Sequence, residues 1–313
     1  MRNTPFTVSV VIPCFNEEGN IHVLYSKLLE TLKFYDFEII FVDDCSKDLT
    51  LPNIKELSFQ DQRVKYISFS RNFGHQNALN AGLKYATGDC VVSMDADLQH
   101  PPHILNELIS KWEEGFEIVN TIRLDNKNVS RFKKYTSNVF YKLLNYLSDL
   151  NLNKGAADFR LLDRKVVDTI KHDFNEYNLF YRGLIDWIGF KQFFIEYNPD
   201  KRFTGNSKYS FFKMIKLAIT GITSFSVRPL KIAVLIGFIF TSISLLYGFY
   251  AIYQYLFNNE TIKGWTSVVI SVIFIGGINM LLIGIMGEYL GNIYMQVKNR
   301  PKFIISDSNT NNN

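Results

Sequence analysis

Two stretches of the chain carry no charged side chain. Residues 232–257 read IAVLIGFIFTSISLLYGFYAIYQYLF, and residues 267–285 read SVVISVIFIGGINMLLIGI. A bilayer core about 30 Å thick is crossed by about 20 apolar residues in a helix. Inside it, backbone groups must bond within the segment, which leaves an isolated stretch no form but the helix. The joining segment NNETIKGW holds one lysine and one glutamate, whereas Arg228 and Lys231 precede the pair and Lys298, Arg300 and Lys302 follow it. Cytoplasmic flanks collect positive charge. The pattern predicts a transmembrane hairpin within residues 229–292, with helices over about 232–257 and 267–290. Both termini are then cytoplasmic, in a multi-pass protein of the inner (cytoplasmic) membrane. The tail, residues 293–313, ends in the polar run SDSNTNNN, whose composition predicts disorder.

The rest of the chain is of another kind. Of 313 residues, 20% are charged and the formal net charge is +4, too mild a surplus to imply nucleic acid. Cys14, Cys45 and Cys90 lack metal-ligand or disulfide-like spacing and suit a reducing compartment. The N-terminal run MRNTPFTVSVVIP is too short and too strand-like for a signal peptide. Residues 1–208 are predicted to form one catalytic domain. Residues 209–228, opening with YSFFKMIKLAITGITSF, combine lysine and aromatic residues at helical spacing, as an interfacial helix does. The stretch 131–147, RFKKYTSNVFYKLLNYL, has the same mixture and is compatible with packing on a sheet or lying on a membrane.

Between residues 8 and 123, short β-branched and aromatic runs alternate with helical periods. VSVVIP, FEIIFVDD, VKYISFS, CVVSMDAD and EIVNTIR read as strands, with helices predicted over 18–34, 49–59, 76–86 and 103–114. That alternation predicts an α/β fold with a mostly parallel sheet covered on both faces. Ligands in such sheets bind beyond the carboxyl ends of the strands. The polar clusters PCFNEE, DDCSKD, SRNFGH and DADLQH lie there.

Asp95 and Asp97 stand one residue apart in VVSMDADLQHPP. On an extended segment, residues i and i+2 share a face, and two carboxylates so placed repel unless a cation lies between them. A divalent ion with oxygen ligands fits, and a diphosphate would complete its shell. Gln99 follows at the same spacing and could add a carbonyl oxygen. The predicted metal ligands are Asp95, Asp97 and Gln99, for Mg2+ or Mn2+.

The motifs VVIPCFNEEGNI, FVDDCSKD, SFSRNFGHQNAL and MDADLQHPP resemble the family 2 glycosyltransferases, which have the GT-A (Rossmann-like) fold. GAADFRLLDRKVV, FYRGLIDWIGFKQ, RFTGNSKYSFFKMIKLA and GIMGEYLGNIYMQVKNRP are similar to the polyprenyl-phosphate glycosyltransferases, especially bactoprenol glucosyltransferases. Cys45 departs from the family, which commonly has glycine in this turn. The resemblance implies nucleotide-sugar binding by Pro13, Asn16, Glu17, Asp43, Asp44, Arg71 and Asp95. It implies catalytic roles for Asp97 and Asp158, and contacts to a lipid phosphate by Arg123, Arg131, Arg202 and Lys208. The residues themselves allow plainer readings: Asp48 caps a helix, His75 is a buried, satisfied histidine, and Asp158 is a buried acid paired with an arginine such as Arg160.

The reaction implied is inverting transfer of glucose from UDP-glucose to undecaprenyl phosphate at the cytoplasmic face. N-acetylglucosamine, mannose and aminoarabinose donors stay open, as does a non-catalytic subunit for membrane assembly. The expected partners are a nucleotide-sugar donor, a polyprenyl phosphate lipid and the bilayer, with a homo-oligomer left open.

Overall fold

The computed structural model describes residues 5–124, 142, 145–148, 155–177, 180–200, 219–258 and 264–310. Arg131, Arg202 and Lys208 lie outside these residues, as does the first half of the segment expected at the interface; in its second half, residues 219–225 are helical.

The region before the long helices runs β1 (Thr7–Cys14), α1 (Ile21–Leu32), β2 (Asp36–Asp43), α2 (Thr50–Gln60), β3 (Val64–Phe69), α3 (His75–Tyr85), β4 (Cys90–Ser93), α4 (Ile104–Glu113), β5 (Ile118–Arg123) and β6 (Ala156–Asp163). It continues with α5 (Arg164–Asp173), α6 (Tyr181–Trp187) and β7 (Gln192–Tyr197). Two long helices follow, α7 (Arg228–Asn258) and α8 (Trp265–Val297), and β8 (Ile305–Ser308) comes last.

Alternate side chains of β1 and β2 enter two different cores. Val8, Val10, Ile12, Ile39 and Phe41 pack with Leu24 and Leu28 of α1 and Leu105 and Trp112 of α4. Val11, Ile40 and Val42 pack with Leu79 of α3, Val167 of α5 and Leu184 of α6. Burial on both faces is why these strands are largely apolar; two buried exceptions pair with each other, Ser9 donating to Glu38 at 2.6 Å. Helix α3 lies close on the sheet at Gly82, where an added Cβ would stand 2.1 Å from Cγ1 of Val11.

The sheet order is β7-β5-β6-β4-β1-β2-β3-β8. Strands β4, β1, β2 and β3 are neighbours and parallel, so the loops after them gather at one edge. The order reverses between β1 and β4, and a crevice opens beyond the strands at such a switch point. Two strands run against the others. Strand β6 inserts between β4 and β5, antiparallel to both, so β5 is not the neighbour of β4. Strand β8 adds antiparallel to β3.

The expected disorder of the tail is therefore corrected up to residue 310. Phe303 stacks on Phe69 with ring centroids 5.1 Å apart. The Asn309 side chain accepts from the Tyr66 amide at 2.6 Å and donates to the Val64 carbonyl at 3.2 Å. An edge strand is held by the backbone of its neighbour and needs few apolar side chains, so composition misreads it.

Helices α7 and α8 are long and apolar enough to cross a membrane, and side chains such as Phe238, Leu246, Met280 and Leu290 are exposed. The last turns of α8 differ. Tyr289, Asn292 and Gln296 share a face. They bond to the Ser226 carbonyl (2.7 Å), the Thr223 hydroxyl (3.1 Å) and the Asn175 carbonyl (2.9 Å). This polar stripe fastens the end of α8 to the residues just before α7 and to Asn175, which follows α5.

Candidate active site

The loops after β1 and β2 brace each other. Asn16 has φ 54°; its side chain accepts from the Lys47 amide at 2.9 Å, and its amide donates to the Ser46 hydroxyl at 2.9 Å. The Glu17 carboxylate accepts from the Asn20 side chain at 2.6 Å. Pro13 is buried at the end of β1, and Asn16 is exposed. Asp48 accepts from the amide and hydroxyl of Thr50, the first residue of α2; the N-cap is Leu49, so Asp48 braces the entry to the helix from one residue before the capping position expected of it.

Asp43 and Asp44 are both buried, and both are engaged. Asp43 accepts from the Ser46 amide and the Ser68 hydroxyl, each at 3.1 Å. Asp44 accepts from the amides of Phe73 (2.6 Å) and Gly74 (2.9 Å), fixing the loop before α3. Burial raises the Asp44 carboxyl above its ordinary value, although these two amides pull the other way. Arg71 is exposed and stacks 4.0 Å from the Phe73 ring.

Strand β4 stops at Ser93, so Asp95 and Asp97 lie beyond the strand expected to carry them, Asp97 in a turn. Leu98 in that turn has φ 62°. Asp97 is 7% exposed and accepts from the Gln99 amide at 3.1 Å. The Asp95 side chain is 38% exposed. Gln99 accepts from Arg123 at 3.2 Å. Among the described residues no group of three or more histidine, cysteine, aspartate or glutamate side chains converges as a ligand set. Asp95, Asp97 and Gln99 offer oxygens of the kind a hard divalent cation takes.

Two histidines flank Asp95. His100 is buried against Phe159, ring centroids 5.0 Å apart. Its Nδ1 accepts from the Asp95 amide at 3.0 Å, which puts the proton of the neutral ring on Nε2, 3.7 Å from the Asp95 carboxylate. His75 Nε2 lies 3.6 Å from Asp95 and 3.8 Å from Asp158. It is not the buried histidine of the plainer reading; its side chain is 41% exposed.

Asp158, on β6, is held between two arginines. Arg160 donates to Oδ1 at 3.0 Å. Arg182 donates from Nε to Oδ1 at 3.1 Å and from Nη2 to Oδ2 at 3.2 Å. Burial would raise the Asp158 carboxyl, but Arg182, Arg160 and His75 outweigh it and hold the group well below the usual carboxylate range. Burial pulls the Arg160 guanidinium down to about 10, still charged at neutral pH. The pairing with Arg160 was legible in the sequence; Arg182 was not singled out there, although an arginine directly after two aromatic residues in FYRG was the available signal. Tyr197 was also missed. Burial pushes its phenol up to about 12, with Arg123, Asp95, Asp97 and Arg182 all close enough to act on it.

The structure thus brings Asp95, Asp97, Gln99, Arg123 and Asp158 to one edge, with Pro13 and Asp43 at the ends of β1 and β2 and Asn16, Glu17, Asp44 and Arg71 on the loops after β1, β2 and β3.

The model of the Glycosyl transferase family 2 matches residues 9–171. The chain is 44% identical over 302 residues to the uncharacterized glycosyltransferase YkcC of Bacillus subtilis, covering 96% of this chain and 93% of that protein. It is 42% identical over 307 residues to the SfII prophage-derived bactoprenol glucosyl transferase of Shigella flexneri, covering 97% and 99%. Mannosyl-3-phosphoglycerate synthase from Rubrobacter xylanophilus aligns with a TM-score of 0.47 at 16% identity, over 69% of this chain and 71% of that one.

Proposed function

The chain belongs to glycosyl transferase family 2 and is a glycosyltransferase, and from that premise we propose that it transfers glucose from UDP-glucose to undecaprenyl phosphate with inversion at the anomeric carbon. One observation carries the reading: a carboxylate-bearing turn and an arginine-bearing cluster meet at one sheet edge, 3.6 and 3.8 Å either side of His75. A lipid acceptor accounts for α7 and α8, and the similarity to a bactoprenol glucosyl transferase extends across them.

In this reading the nucleotide lies on the loops after β1, β2 and β3, against Pro13, Asn16, Glu17, Asp43, Asp44 and Arg71. Its diphosphate lies at Asp95, Asp97 and Gln99. A divalent cation, Mg2+ or Mn2+, when bound there, neutralises charge developing on the leaving diphosphate. The acceptor's phosphate has a second pKa of about 6 and is largely a dianion at pH 7, so its oxygen attacks without a strong base. Asp158, ionised and poorly basic, orients the arginines beside it. Arg123, Arg131, Arg202 and Lys208 are assigned to the lipid phosphate. The catalytic domain, residues 1–208, the interfacial segment, 209–228, the tail, 293–313, and both ends of the hairpin, 229–292, lie on the cytoplasmic face of a multi-pass inner-membrane protein.

The test supplies membranes containing the protein with undecaprenyl phosphate and a panel of labelled nucleotide sugars. UDP-glucose is expected to give a lipid-linked product of inverted configuration. A product from another donor alone, or a retained configuration, overturns the corresponding part.

A further inference from the structure

Arg182 bridges the site and the membrane-side end of the domain. It belongs to the first turn of α6, where three successive residues point to three partners. Phe180, just before the helix, packs on the helical residues leading into α7: a Cβ on Gly221 would meet its ring at 3.4 Å, and the Phe225 ring lies 6.3 Å away. Tyr181 is fully buried and donates to the Asn80 side chain of α3 at 2.9 Å. Arg182 reaches Asp158.

The two arginines on Asp158 are not equivalent. Arg160 is 3% exposed and also donates to the Ala157 carbonyl at 2.8 Å, so it holds Asp158 from the interior. The Arg182 side chain is 30% exposed and holds Asp158 from the cleft. Two parallel bonds fix the plane of its guanidinium, a fork that suits phosphate as well as carboxylate. A phosphate dianion arriving between Asp95 and Asp158 would be repelled unless a cation faced it.

We propose that Arg182 binds the phosphate of the acceptor lipid on the side of the cleft next to the apolar helices, with Asp158 presetting its orientation. This rests on the glycosyl-transfer reading above. A guanidinium already oriented gives up little freedom on binding, and Phe180 ties its helix to the chain that enters the membrane.

The experiment uses full-length protein in detergent, with undecaprenyl phosphate and UDP-glucose each varied at a fixed level of the other. If the wild type forms no lipid-linked glucose, the reading and this inference both fall. With the wild type active, Arg182→Gln is expected to raise the KM for the lipid phosphate at least about tenfold, in keeping with loss of a charged hydrogen bond. The KM for UDP-glucose should stay within about twofold. A short-chain prenyl monophosphate, competing with the lipid in the wild type, should lose potency in the variant to the same extent. Arg182→Lys keeps the charge but not the fork, and should fall between the two; if Arg182→Gln does not accumulate folded, that variant decides by the same shift. Two results overturn the proposal with the reading intact. A rise in the donor KM instead would place Arg182 at the diphosphate. A fall in kcat with both KM values unmoved would leave it only the task of holding Asp158.

Discussion

The two sides of the cleft are built from opposite charges on differently directed strands. On one side, parallel β1, β2 and β4 end at Asp43 and at loops carrying Asp44, Asp95 and Asp97. On the other, antiparallel β6 and helix α6 supply Arg160 and Arg182 around one carboxylate. In the proposed reading, a nucleotide with its cation needs anionic ligands, whereas a phosphate acceptor needs cations. A cleft of one sign could not hold both. The difference also separates functional load from structural load. Asp43 and Asp44 spend their oxygens on loop amides and a hydroxyl, so their first task is to shape the pocket, while Asp95 stays open to solvent.

The sharpest way to break the comparison is to remove one charge from the carboxylate side. Asp97→Asn can still accept from the Gln99 amide, so the turn should survive while an anionic ligand is lost. A metal's charge stabilisation amounts to several kcal/mol, on the order of a thousandfold in rate. Product formation should fall by about that factor, and a chelator should mimic it in the wild type. A variant that works at the wild-type rate removes the metal role.

The arginine side should respond differently. Asp158→Asn leaves two arginines, one fully buried, without their counter-charge, and breaking a buried pair costs about 3 kcal/mol or more. Thermal or denaturant unfolding should show this as a lower midpoint. The folded Asp158 carboxyl lies below its unfolded value, so its stabilisation is complete above about pH 4, the ordinary aspartate range, and is lost as the pH falls further. Asp158→Asn should therefore lose part of the acid dependence of stability. Its turnover should drop by less than about a hundredfold, the lower bound for losing a general base, with a flat profile above pH 7. Complete loss of turnover in folded protein would make Asp158 the base.

The smallest effect concerns a backbone. Cys45 has φ 60°, in the left-handed region where a Cβ is costly and glycine is not. Cys45→Gly should stabilise the protein by about 0.5 kcal/mol, the gain reduced by the freer unfolded chain. A lowered unfolding midpoint would show that the thiol packs usefully beside Asp44.

Local signals were legible. The β-branched and aromatic runs and the helical stripes locate β1 to β5 and α1 to α4 within a few residues, because burial on both faces writes itself into the sequence. The two uncharged stretches locate α7 and α8. The four polar clusters after β1 to β4 identify the carboxylate side because each lies in one short loop. The arginine side was harder, since it depends on partners far apart. Ser93 pairs with Arg160, and Arg182 meets Asp158 across 24 residues. An arginine on an amphipathic helix looks the same whether it faces solvent or a carboxylate. The end of β4 was misplaced because the strand pattern runs on into MDAD with no glycine or proline to stop it. The tail was misread because edge pairing leaves no mark on composition.

The pairing of β3 with β8 has a consequence for how the molecule is made. Tyr66 and its partner Asn309 are 243 residues apart, so β3 is synthesised long before the strand that covers it. Until then β3 is an open edge, the kind that recruits other chains. Closing so long a loop is slow when the contact must be found by diffusion. On the proposed topology, α7 and α8 would shorten the search by returning the chain to the side it left, provided both cross the bilayer. A chain that inserted a single helix would then strand its tail on the far side and keep an unpaired β3, a state that limited proteolysis of newly made chains would register as cleavage within the sheet. On that topology the last strand would admit to the finished fold only those molecules whose hairpin is correctly threaded.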